Sequence, residues 1–284
     1  MDIKSITDPK PLASVAELID LRERLENSQF DGPTNNQWAY RGQSQTFGAL
    51  TPSFQRQILK PSVGTAELIE SRLMEAFRDH YEKLPDRSAD MPLPTQIAAG
   101  HDMRCLSVMQ HYEIPTRLLD WTTNFWTAIY FACASGPGDD AELWYYDRQI
   151  FEMQRQVDGS LNSFMDRTAN PPLEPPLLTS RDESIVELDP QISPRMKRQS
   201  ALHTVSTNVF SDHAALLLEL QGTFFANQDT RVHRVLIEAG CKSKALQFLA
   251  DPPLNITAST IFPDVVGLGR FLRWQFDSLR TMLM

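Results

Sequence analysis

The chain has 284 residues, enough for one large domain or two ordinary ones, with 42% hydrophobic and 22% charged residues, as in a globular protein. Its formal net charge of −9 speaks against extensive binding of duplex nucleic acid, which needs clustered Lys and Arg to neutralise phosphates, but leaves room for a local basic pocket. No run of about 18 apolar residues occurs, and the N-terminus lacks a basic region followed by an apolar run, so neither a membrane span nor a secretion signal is expected.

In chain order, Ser14 with Glu17 three residues on reads as a helix start, and Val15, Leu18, Ile19, Leu21 and Leu25 continue at roughly helical spacing. This helix belongs to a lead-in over residues 1–36. The segment Gln37 to Gln43 alternates aromatic residues ahead of Gly42, the pattern of a short strand running into a turn. A second helix fits Ala66 to Tyr81, and residues 85–94 break it. Residues 100–112 read as a helix that must end before Pro115, because the residue preceding a proline is driven out of the helical region. Thr122, Thr123 and Asn124 are capping types, and Phe125 to Cys133 is apolar nearly all round, so a buried helix is expected. Glu142 to Asp147 is a strand candidate. Six prolines over residues 170–194 predict a surface excursion without long regular elements. Strands are expected at 199–206 and 234–238, a short helix at 242–250 and a closing helix at 267–283. The fold class is therefore α+β: a single mixed domain over 37–284 with a small sheet flanked by helices. Cys105, Cys133 and Cys241 show no CxxC spacing, which suggests buried thiols in a reducing, cytoplasmic setting.

Between the end of one helix and the start of the next lies Gln110-His111-Tyr112-Glu113-Ile114-Pro115-Thr116-Arg117-Leu118-Leu119-Asp120-Trp121. A polar cluster here, with Arg41-Gly42-Gln43 at the end of an early strand, brings two arginines beside element termini. There, guanidinium forks and free backbone N–H groups suit a phosphate or pyrophosphate. The competing structural account is that Arg117 and Asp120 form an internal ion pair that fixes the approach to the buried helix.

Trp38-Ala39-Tyr40-Arg41-Gly42-Gln43 resembles the aromatic-Arg-Gly motif that gives the FRG domain its name, and the segment from Gln110 to Thr122 resembles that family's long central motif. Arg195 to Thr204 and Ile261 to Leu268 resemble its later segments, with Ala201, Leu202 and His203 standing where the family pattern has Gly and Phe, and Val266 in place of an acidic residue. The order of the parts also resembles, by pattern alone, ADP-ribosyltransferases of the Arg/Ser-Thr-Ser/Glu class. In that class an early-strand Arg grips the NAD phosphates, a middle strand props the nicotinamide side, and a late Glu acts at the ribose. The resemblance implies NAD as a substrate, with Arg41 and Arg117 on the diphosphate. Gln199, at the late position, can hydrogen-bond a ribose hydroxyl but supplies no negative charge. Asp120 is then the best carboxylate, with Glu187 behind it.

Four readings stay open. The first is an ADP-ribosyltransferase-like enzyme acting on NAD or a related nucleotide, as a candidate defence effector or toxin whose macromolecular acceptor is undetermined. The second is a non-catalytic module binding a nucleotide or a nucleic-acid end, with stacking by Tyr40, Tyr112 or Trp121. The third is a metal-independent nuclease or hydrolase with His111 as base and Asp120 as its orienter. Across these readings the catalytic candidates are Asp120, His111 and Gln199. The ligand-binding candidates are Tyr40, Arg41, Gly42, Gln43, Tyr112, Thr116, Arg117, Trp121 and Thr122. No metal is expected, since there is no HxH pair or carboxylate cluster. The fourth reading is a scaffold whose motif residues knit the core. A site shared by the two arginine motifs requires residues 40–42 and 117–122 to be neighbours.

Overall fold

The computed structural model describes residues 10–27, 37–58, 62–84, 92–98, 101–157, 184–189, 193–225 and 230–262, together with Leu272. Its strands are β1 (Trp38–Gln43), β2 (Leu118–Thr122), β3 (Ala141–Asp147), β4 (Ile185–Leu188), β5 (Ala201–Ser206) and β6 (Val232–Ile237). They form one six-stranded sheet in the order β4-β5-β2-β1-β3-β6, antiparallel throughout. The helices are α1 (Val15–Asn27), α2 (Ser53–Gln57), α3 (Val63–Glu82), α4 (Asp102–His111), α5 (Phe125–Cys133), α6 (Gln149–Val157), α7 (Pro194–Arg198), α8 (His213–Phe224), α9 (Ala239–Ala250) and α10 (Ala258–Ile261).

Strand periodicity divides the core in two. Trp38 and Tyr40 of β1, with Leu143 and Tyr145 of β3, pack in one apolar cluster with α1, α5 and α9. Ala39, Trp144 and Tyr146, one residue out of phase, pack with α6 and α8 in another. A third cluster joins α3 and α4 to Leu118, Val186, Leu188 and Val205 at the β4 end. The sheet is thus covered on both sides, the α+β architecture expected from the sequence.

Local signals explain most elements. The Ser14 hydroxyl accepts from the Glu17 N–H, and the Glu17 carboxylate accepts from Ala13 N, closing the start of α1. Leu18, Leu21 and Leu25 of that helix belong to the same core as β1, so the lead-in helix packs onto the sheet. The Asn124 side chain accepts from Thr127 N and starts α5. That helix is buried nearly all round, and it lies so close to β1 that a Cβ on Gly42 would sit 2.0 Å from the Ala128 carbonyl oxygen. Gly42 is therefore the residue that lets the buried helix touch the strand. Cys105, Cys133 and Cys241 are buried free thiols.

The proline-rich stretch needs correction where it is described. Ile185 to Leu188 is a fully buried strand, because the Pro-free run Ser184 to Asp189 is long enough to pair with β5. The remainder up to residue 183, and the closing helix at 267–283 apart from Leu272, lie outside the described residues. Among the described residues no helix is long and apolar enough to cross a membrane.

Candidate functional site

β1 and β2, far apart in the chain, are neighbours in the sheet and pair at Tyr40 and Thr122. Beyond that pair the Arg41 guanidinium reaches across, and its Nη1 donates to the Asp120 carbonyl at 2.7 Å. A side chain here satisfies an acceptor that a strand neighbour's N–H would otherwise meet. Above this junction opens a cavity of about 400 Å³, whose walls come from β1, β2, β5, α2, α4, α5 and α7.

Four of the sequence-derived residues that bear chemistry, Arg41, His111, Asp120 and Gln199, line this one cavity, as do Tyr40, Gly42, Gln43, Trp121 and Thr122. Several of these contribute mainly to the walls. Tyr40 is 6% exposed and edge-on to Phe125, and Trp121 is 3% exposed with its indole N–H given to Thr204 Oγ1. Gln43 is tied to Glu142 and to the Ala49 carbonyl. Thr122 donates to the Gln199 carbonyl, and the Gln199 amide donates to Ile261 O at 3.3 Å.

Three ligand-binding expectations are not met. Arg117 is 1% exposed: it pairs with Glu70 of α3 and donates to the Ser206 and Thr207 carbonyls, so its whole fork is spent inside the core. Its partner is Glu70, and the Arg117–Asp120 pair suggested by the sequence does not form. Thr116 is 0% exposed and serves its neighbours, donating to Gln110 Oε1 at 2.6 Å and accepting from Leu118 N. Tyr112, at the end of α4, is exposed and lies against the His111 ring outside the cavity lining. Glu187 is also spent elsewhere, on Tyr146 and Arg148.

Among the described residues, Asp120 brings the one carboxylate in the lining. Its side chain is 54% exposed and set into the cavity, with one carboxylate oxygen 3.1 Å from His203 Nδ1 and the other accepting from Gln110 Nε2 at 3.0 Å. The His203 approach is close but off the line of a good hydrogen bond, leaving both of its buried ring nitrogens without one. Enclosure by protein works against ionisation of Asp120. The contact and charge of His203, the charge of Arg41 and the Gln110 amide outweigh it, and hold the carboxyl below its ordinary value. His111, also in the lining, has its Nδ1 3.4 Å from Ser193 Oγ. The imidazole that approaches the Asp120 carboxylate is that of His203, which the sequence did not single out.

Arg41 is the cationic counterpart. Burial first, then the nearby charge of Arg56, push its guanidinium down to about 10 against the opposing pull of Asp120, so it remains protonated at neutral pH. Its Nε is buried and has no hydrogen-bond partner. Arg56 and Arg195 also line the cavity, which thus carries three arginines against one carboxylate, a formal balance of +2 with histidines neutral. An acidic chain has placed a cationic hollow on its sheet. Among the described residues no group of three or more His, Cys, Asp or Glu could hold a metal ion.

His203, Arg56 and Gln110 were not singled out from the sequence as site residues. His203 needed the strand register, which sets it opposite Asp120 across β2 and β5. Arg56 lies on a five-residue helix with no motif around it, and Gln110 stood at the head of the polar segment without a role.

Residues 36–141 match the family model of the FRG domain. The chain carries an FRG domain. Comparisons with curated proteins and with solved structures give no match. The matched stretch supplies Arg41, Arg56, Gln110, His111 and Asp120 to the cavity, while Arg195, Gln199 and His203 come from the chain beyond it. The FRG segment is thus one wall of a site that later strands complete.

Proposed function

We propose that the FRG domain binds NAD or a related phosphorylated nucleotide in this cavity and acts on it as an ADP-ribosyltransferase-like enzyme. The observation that carries the reading is the meeting of Arg41 from β1, Asp120 from β2 and the β5 edge in one cationic cavity on three adjacent strands. An early-strand arginine, a middle strand and a late strand are the parts the three-part transferase site requires. Arg41 brings its guanidinium to the cavity lining, where it can meet a diphosphate oxygen, with Arg56 adding charge nearby.

In this reading the bond between the ribose C1′ and the nicotinamide nitrogen breaks, and nicotinamide leaves neutral with the bonding pair. The cationic ribose carbon is stabilised by the ionised Asp120 and is then taken by a lone pair of the acceptor. The acceptor's proton passes to Asp120 or to water. Asp120→Asn keeps the shape but removes the charge. NAD binding followed by thermal shift, and nicotinamide release followed in parallel, test the proposal: Asp120→Asn should bind NAD and lose most turnover, and Arg41→Ala should lose binding.

A second reading, a binding module without turnover, is favoured by one observation. The groups at the late position are Gln199, at the C-terminal end of α7, and His203 of β5, so neither brings a carboxylate to the cavity. NAD binding by the wild type without nicotinamide release, across several offered acceptors, would select it.

A further inference from the structure

Asp120 sits at the centre of a small set of side chains whose arrangement exceeds what strand pairing requires. The Thr116 hydroxyl, fully buried, donates to Gln110 Oε1 at 2.6 Å. That contact fixes which way the Gln110 amide faces, because only its Nε2 is then left to donate, and it donates to Asp120 Oδ2 at 3.0 Å. On the other side His203, 2% exposed and directly across the ladder, brings Nδ1 to 3.1 Å from Oδ1. Both of its ring nitrogens lack a good hydrogen bond, an arrangement costly in a buried sheet unless the ring serves the carboxylate beside it. The backbone of Asp120 is held separately, by Arg41.

We propose that Thr116, Gln110 and His203 are positioning residues that hold the Asp120 carboxylate in one orientation toward the cavity. The proposal rests on the reading of Asp120 as the reactive carboxylate. It gives Thr116 and Gln110 of the central FRG motif a common role, since Thr116, outside the cavity lining, acts on Asp120 through Gln110, which lies within it. The charged and titratable groups facing Asp120 are Arg41 from β1 and His203 from β5, with His111, Arg56 and Arg195 farther around the cavity. On its far side His203 meets Leu188 of β4, which does not titrate. The pH response of Asp120 is therefore set chiefly by His203 and Arg41.

The test follows the Asp120 side-chain carboxyl by carbon NMR in aspartate-labelled protein, beside the pH profile of nicotinamide release. In the wild type the carboxyl should titrate below an ordinary aspartate. His203→Leu removes the imidazole that faces the carboxylate and should move the titration, and the acid limb of the activity profile, upward. His203→Asn, which keeps a donor near Nδ1, should recover part of that shift. Thr116→Val should produce a smaller shift in the same direction, and Thr116→Ser should restore the wild-type value. An Asp120 titration unchanged in folded His203→Leu and Thr116→Val overturns the proposal. If His203→Leu does not fold, the near-isosteric Thr116→Val decides alone. If the wild type neither binds nor cleaves NAD, the functional reading falls, while the carboxyl titration still decides the positioning of Asp120.

Discussion

Two arginines of the FRG segment, alike in the sequence, should respond oppositely to mutation, and Arg117 gives the sharper test. Its side chain and that of Glu70 are 1% and 3% exposed, with Nε 2.8 Å from Glu70 Oε2 and Nη1 2.7 Å from the Thr207 carbonyl. Arg117→Leu strips Glu70 of its cation and two carbonyls at the end of β5 of their donor. An uncompensated buried carboxylate of this kind costs about 3–5 kcal/mol. For a chain of this size each kcal/mol lowers Tm by about 2–4 °C, so the melt should fall by roughly 6–20 °C. Glu70→Gln should also destabilise, since it leaves the guanidinium buried without a counter-charge. The double variant Glu70→Leu with Arg117→Met replaces the pair by apolar groups and should recover much of the loss. Thermal melts of the three proteins decide the matter, with NAD binding measured well below each Tm. An Arg117→Leu protein that melts within about 2 °C of wild type, or that folds fully yet loses the ligand, would refute a purely structural Arg117.

Arg41→Ala should cost no more than about 2 kcal/mol, the loss of a donor to the Asp120 carbonyl, while abolishing NAD binding; Arg41→Lys should not restore it, because a point charge cannot replace the fork. Gly42→Ala drives a Cβ into the α5 backbone, 2.0 Å from Ala128 O and 2.6 Å from Ala132 N, and should cost at least about 3 kcal/mol or yield no folded protein, as read by circular dichroism and melting. His213, fully buried, is pushed down to about 3 by burial and by the charges of Arg41 and Arg117, so the unfolded chain takes up a proton that the folded chain refuses. Its contribution is present above about pH 6.5 and is lost as pH falls toward 3, by about 1.4 kcal/mol per unit, and urea melts of wild type against His213→Asn should show the flatter acid slope in the variant.

Most of the fold was legible because its elements carry local signals. Ser14 with Glu17, Asn124 ahead of an all-apolar run, and the alternation of Trp38 and Tyr40 each specify an element without reference to the rest of the chain. The unforeseen elements lack such signals or were masked by louder ones. Ile185 to Leu188 is four residues long and flanked by prolines, and its burial depends on β5 being there to pair with it. Helix α8, capped by Asp212, carries an apolar run in the sequence but no polar stripe that would set its period, because it is covered on most sides.

The site was legible to a different depth, and for a physical reason. Arg41, His111, Asp120 and Gln199 could be named from motif and chemistry, and they do converge on one cavity. Whether an arginine serves a ligand or the core depends on where the nearest carboxylate falls in space. Glu70, 47 residues before Arg117 and on another element, supplies that carboxylate to Arg117, whereas among the described residues Arg41 donates to the Asp120 backbone carbonyl instead of a carboxylate. His203 was hidden for the same reason, since only the register of β2 with β5 sets it across from Asp120. The central FRG motif therefore divides by depth. Thr116 and Arg117 face inward and bind the end of α4 and the end of β5, while Asp120, three residues later within β2, faces the cavity. A dense polar segment can thus be buried over Thr116 and Arg117 and still set one carboxylate, that of Asp120, into a cationic cavity.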